Sequence, residues 1–124
     1  EMVDTSNPPD SNSGFFNDHK IKPNITVYLD KKPSNDSLCC SCDMETFIEV
    51  KLDPDCDGFG LDIDKLEKDT GLARDMRGQL ITYLNAMQAS QYRTHGFSVL
   101  LLGKKYWLLH HTHSGIEITT PFSY

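Results

Sequence analysis

The sequence predicts an α+β fold: a small mixed sheet carrying one long helix. Three observations point there. Met76, Leu80, Tyr83, Leu84 and Met87 recur at helical spacing between Ala73 and Gln91. Five short runs rich in β-branched and aromatic residues flank that stretch, two before it and three after. The last three runs are separated by Gly103-Lys104-Lys105 and Ser114-Gly115, which read as tight turns.

Taken in order, residues 1–14 read as a disordered N-terminal tail, because Asn7 to Gly14 is polar and shows no apolar period. Phe15 and Phe16 would open the packed region, giving one domain over residues 15–124. Ile25 to Leu29 is expected as a strand, and Lys31 to Asp43 as a turn-rich connection. Thr46 to Leu52 alternates apolar and polar through its centre, a second strand. It puts Ile48 and Val50 on one face and Glu49 and Lys51 on the other. Asp53 to Gly60 is an acidic loop, and Asp62 to Asp69 is expected as a short helix closed by Gly71. The helix over 73–91 follows, then strands over 97–102, 106–111 and 116–120. Phe97, Tyr106 and Trp107 are expected to be core residues of those strands.

Composition narrows the function. The net charge is −6, and ten of the eighteen acids lie between Asp43 and Asp69. The chain therefore lacks the basic face of a general nucleic-acid binder. No run approaches the roughly 18 apolar residues of a membrane span, so no membrane contact is expected. The first residues do not form a signal peptide, and four cysteines without one fit free thiols in an intracellular protein. The start at Glu1 and the end at Tyr124, inside a strand-like run, suggest a segment of something longer.

The most informative chemistry is a pair of pairs. Glu49 and Lys51 point to one side of a strand. Gln79 and Tyr83 share one face of a helix. Phosphodiester hydrolysis needs charge neutralisation and an activated water, and a divalent metal supplies both. Mg²⁺ or Mn²⁺ in that role wants carboxylate oxygens, with a lysine beside it to orient water or stabilise the departing charge.

The neighbouring strand opens Lys22-Pro23-Asn24-Ile25. With Glu49-Val50-Lys51 on the next strand, the chain resembles the PD-(D/E)xK nuclease-like superfamily, of restriction-endonuclease-like topology. Gln79 and Tyr83 resemble the Gln-x-x-x-Tyr helix of one exonuclease branch. In this sequence Asn24 stands where the resemblance expects aspartate, so the site loses one of its two main charges. Asp30 and Asp43 are acids that could take its place.

A second resemblance is more specific. Arg77-Gly78-Gln79 with Tyr83, then Gln91-Tyr92-Arg93 and Phe97-Ser98, then a hairpin ending Ser114-Gly115, resembles the region just before the catalytic lobes of fungal-type protein kinases. It covers about residues 22–124 and is strongest over 74–124. One departure is clear: that family usually has Asp-Arg before Ser-Gly, and here Thr112-His113 stands there. The chain has no complete kinase motif of its own. Gly58-Phe59-Gly60 lacks the rest of a phosphate loop, and there is no His-Arg-Asp or Asp-Phe-Gly.

These readings give three functional expectations. The first is a kinase-associated regulatory or interaction module, catalytically inactive and without cofactor, whose partner is a downstream kinase domain or another protein. Glu49 and Lys51 would then form a strand-surface ion pair capped by Gln79 and Tyr83. The second is a metal-dependent nuclease acting on nucleic acid, with Glu49 and Asn24 as metal ligands, Lys51 as phosphate or water partner, and Gln79 and Tyr83 as orienting groups. The third is a calcium-binding module. Asp53, Asp55 and Asp57 match positions 1, 3 and 5 of a calcium loop, Gly58 matches position 6 and Asp64 matches position 12. Cys39 and Cys42 have the spacing of half a zinc knuckle, but no second pair follows; Cys56 stands alone, with His95, His110, His111 and His113 as the available nitrogens.

Overall fold

The structure, a computed structural model, describes residues 1–6, 21–29 and 39–124. Seven strands and one long helix make up its regular elements. In chain order they are β1 (Met2–Asp4), β2 (Ile25–Tyr28), β3 (Met44–Lys51), α1 (Gly71–Gln91), β4 (His95–Leu102), β5 (Lys105–Thr112), β6 (Gly115–Ile118) and β7 (Phe122–Ser123). The sheet runs β1-β2-β3-β4-β5-β6, and β7 joins the far end of β5. All neighbours are antiparallel except β3 and β4, which α1 connects as a crossover.

α1 forms where its apolar spacing demands. Thr70 caps it, its hydroxyl accepting the Ala73 N–H at 3.2 Å. Tyr92 ends it in the left-handed region, with φ of 55°. Ala73, Met76, Leu80, Tyr83, Leu84, Ala86 and Met87 are buried along one stripe. That stripe lies on the sheet face built by Phe47, Leu100, Trp107 and Leu109, and together they make the core.

The opposite sheet face is different. Ile25, Val27, Ile48, Val50, Val99 and Leu101 are only half-buried there, and Leu108 is 41% exposed. Among the described residues no helix covers that face. The alternation in β3 is as expected, but the face that becomes core is the one carrying Phe47 and Glu49.

Several expectations need correction. Met2–Asp4, placed in the disordered tail, instead pairs with β2 as an edge strand, and Thr5 is fully buried with its hydroxyl donating to the Pro23 carbonyl at 2.6 Å. Three residues of edge pairing carry too weak an apolar signal to show in composition. Residues 7–14, Phe15, Phe16 and most of the connection from Lys31 lie outside the described residues. The helix expected over 62–69 reduces to a single 3-10 turn at Ile63–Lys65, because Asp62 spends its side chain on the Asp64 N–H. Gly71 does not close that turn; it opens α1. Phe97 is not core. It is 55% exposed on the open face and stacks on His110 at 4.6 Å.

Candidate functional site

The antiparallel register of β2 and β3 sets Ile25 opposite Ile48, which brings Asn24 beside Glu49 and Val50. α1 crosses the same face and lowers Gln79 and Tyr83, one turn apart, onto Glu49 and Lys51. Glu49 is only 2% exposed. Its Oε1 accepts from Lys51 Nζ at 2.8 Å and from Gln79 Nε2 at 3.0 Å. Its Oε2 accepts the Asn24 N–H at 3.3 Å. Gln79 Oε1 accepts from Lys51 Nζ at 2.8 Å, while Gln79 Nε2 also donates to Tyr83 Oη at 2.8 Å. Tyr83 Oη then donates to the Lys22 carbonyl at 3.2 Å, and Asn24 Oδ1 accepts the Val50 N–H at 2.8 Å. Three distant stretches of sequence thus share one hydrogen-bonded cluster.

Its electrostatics follow from burial. Desolvation raises the Tyr83 phenol above its ordinary value; the Gln79 hydrogen bond opposes this, and the nearby Glu49 carboxylate reinforces it. Phe47 packs edge-on against the same ring at 5.6 Å, shielding the cluster from the sheet side. The ion pair is not the strand-surface pair expected: its carboxylate is buried, and only the lysine, 24% exposed, reaches the boundary.

Chemically, the cluster holds one carboxylate whose two oxygens are both engaged within the protein. The Asn24 oxygen is turned to a backbone N–H. A hard divalent cation would find a single anionic ligand here: Oε1 already holds Lys51 and Gln79, and Oε2 carries only the Asn24 N–H at 3.3 Å. Asp43 does not substitute, since it lies with Cys40 and Cys42. Asp30 is outside the described residues.

Of the calcium-loop carboxylates, Asp53 and Asp57 are each engaged within the segment. Asp53 Oδ1 accepts the Asp55 N–H at 2.9 Å, and Asp57 accepts the Phe59 N–H at 3.2 Å and Lys68 Nζ at 3.1 Å. Asp64 sits on the separate turn capped by Asp62. Among the described residues, the one group of three metal-capable side chains within 4.8 Å is Cys40, Cys42 and Asp43. Cys40 and Cys42 form a disulfide, which corrects the expectation of four free thiols; Cys39 and Cys56 lie outside that bond. His111 and His113 line one cleft beside Gln88 and Arg93, and burial depresses the His111 imidazole below its usual value, with His113 and His110 adding like-charge repulsion.

The residues of the kinase-region resemblance take structural posts. Arg77 donates from Nη1 to the Gly58 and Lys68 carbonyls, each at 2.7 Å. Gln91 donates to the Ser41 and Met44 carbonyls, and Arg93 pairs with Glu45 at 2.7 Å, so both tie the end of α1 to the start of β3. Thr112, at the departure from the family pattern, accepts the Ser114 N–H at 3.2 Å and closes the β5–β6 turn. Sequence reasoning missed the Arg77 clamp; its signal was an arginine on the half-buried flank of an otherwise regular helix.

No protein-family model, curated protein or solved structure matches this chain.

Proposed function

We propose that the chain is a catalytically inactive interaction module of nuclease-like ancestry that serves a protein kinase of the fungal type. The observation that carries the loss of activity is the closed bonding of Glu49. Lys51, Gln79 and the Asn24 N–H occupy its oxygens, and the neutral Asn24 stands where a second carboxylate is needed. The strand–strand–helix–strand order, with the acid and lysine on β3 and the amide and phenol on α1, supports a PD-(D/E)xK-type ancestry. The kinase association rests on the Arg77 to Gly115 resemblance. The half-open apolar sheet face supports a module that packs on a neighbour rather than one that works alone.

Two titrations test this. Mn²⁺ should produce no saturable heat and no rise in melting temperature. Purified kinase lobes of a fungal-type kinase should bind the chain in trans. Saturable Mn²⁺ binding that Glu49→Gln abolishes would contradict the inactive reading, and absence of lobe binding would remove the kinase association.

The convergence of Glu49, Lys51, Gln79 and Tyr83 also keeps one rival concrete: a metal-dependent nuclease in which metal entry rearranges Lys51. In that case Asn24→Asp should increase cleavage and Lys51→Ala should abolish it.

A further inference from the structure

Residues 53–69 hold seven acids against two lysines, so five of the six net negative charges of the chain sit in this segment. The same segment exposes aliphatic side chains: Leu61 is 77% exposed, Ile63 88% and Leu66 39%. This exposure does not come from a loose loop. The segment is pinched at a neck where the Gly60 N–H donates to the Leu66 carbonyl at 2.7 Å and the Lys68 N–H to the Gly58 carbonyl at 3.0 Å. Arg77 clamps both sides of that neck to α1. Beneath it, Phe59 is 7% exposed and packs on Trp107 with ring centroids 5.6 Å apart.

The braced tip overhangs two adjoining apolar hollows. One, about 310 Å³, has Phe59, Leu66, Ile81, Leu109, Ile116 and Ile118 as its apolar wall, with Glu67, Arg74 and Arg77 also lining it. The other, about 260 Å³, shares Leu66 and Ile118 and adds Leu61, Ile63 and Pro121. The result is a largely apolar trough along the β6 edge of the sheet, bordered by the tip that carries Asp62 and Asp64 between Leu61, Ile63 and Lys65. Most nearby cations are already committed: Arg77 to the neck carbonyls, Arg74 to Asp69 at 3.4 Å and Lys68 to Asp57 at 3.1 Å. Asp62 and Asp64 have no ion-pair partner among the described residues.

From this we infer that the trough docks a cationic amphipathic segment of a partner polypeptide, with aliphatic side chains seated in the hollows and lysines or arginines facing Asp62 and Asp64. Charge selects this occupant. An anionic lipid surface would be repelled by Asp62 and Asp64, and a second copy of the chain would bring the same acids. The inference stands apart from the kinase reading, since it depends only on the 53–69 segment and its walls.

The test uses the full chain and a fluorescent helical model peptide with leucine at i, i+3, i+4 and i+7 and lysine elsewhere, followed by anisotropy. The lysine peptide should bind, more weakly as salt rises, while the same peptide with glutamate for lysine should not. Leu61→Ser with Ile63→Ser, both solvent-facing, should weaken binding at least tenfold. Asp62→Asn with Asp64→Asn, which keeps the turn-capping oxygen of residue 62, should do the same. An unchanged melting temperature in each variant shows that folding is intact. No binding, equal binding of both peptides, or full binding by the serine variant would overturn the inference. So would a concentration-dependent dimer that the serine variant dissolves.

Discussion

Glu49 and Lys51 face each other across 2.8 Å, but they do not stand in equal surroundings. Removing the lysine strands a buried carboxylate that keeps only the Gln79 amide and one backbone N–H. Removing the carboxylate charge leaves a lysine that can swing to solvent. Lys51→Met should therefore destabilise by about 2–3 kcal/mol and Glu49→Gln by only about 1 kcal/mol. The double variant should cost less than the sum, with a coupling of at least about 0.5 kcal/mol, read from urea unfolding of all four proteins. Tyr83 gives a pH signature. Its folded phenol titrates above the ordinary value of about 10, so the stability it contributes is full below that value and is lost as pH rises through the folded one. Tyr83→Phe should flatten this alkaline loss. His111 runs the other way: depressed in the fold, it contributes stability above about pH 6.5 that is lost as pH falls through its folded value, and His111→Gln should reduce the acid sensitivity. At this scale the sequence was legible in what converges. Strand periodicity paired Glu49 with Lys51 and helix periodicity paired Gln79 with Tyr83; that the two pairs meet was implied by the nuclease-like resemblance. Neither could show that Asn24 turns its oxygen to the Val50 N–H, because that depends on the β2–β3 register.

α1 organises the site, and most of it could be read from apolar spacing alone. Gly78 is the exception within it, a glycine in mid-helix where an added Cβ meets nothing within 4 Å. Gly78→Ala should stabilise the protein by about 0.5–1 kcal/mol, seen as a raised urea midpoint at unchanged slope. Thr70→Ala should cost about 1 kcal/mol by freeing the Ala73 N–H at the helix start. The elements that could not be read are the short ones. β1 and β7 have three and two residues and exist through pairing with strands already formed. The 62–69 stretch has acids and aliphatics at plausible helical spacing, yet the Asp62 cap and the neck bonds to Gly58 and Gly60 hold it as a turn on a stalk. Local side-chain bonding to the backbone won over a weak helical pattern.

Across the whole molecule the sheet has one face closed by α1 and one that remains half-open, with a largely apolar trough at the β6 edge. The order of strands and helix foretold the class of fold. The asymmetry of the two sheet faces was not legible, because Ile48 and Val50 look as much like core as Phe47 until a single helix has to choose a side.

The decisive measurement is cleavage of single- and double-stranded DNA by the purified chain in Mn²⁺, run beside Lys51→Ala. The closed Glu49 cluster predicts that the parent protein leaves both substrates intact and that Lys51→Ala is indistinguishable from it. Manganese-dependent cleavage that disappears in Lys51→Ala would show a working metal site and contradict the inactive reading.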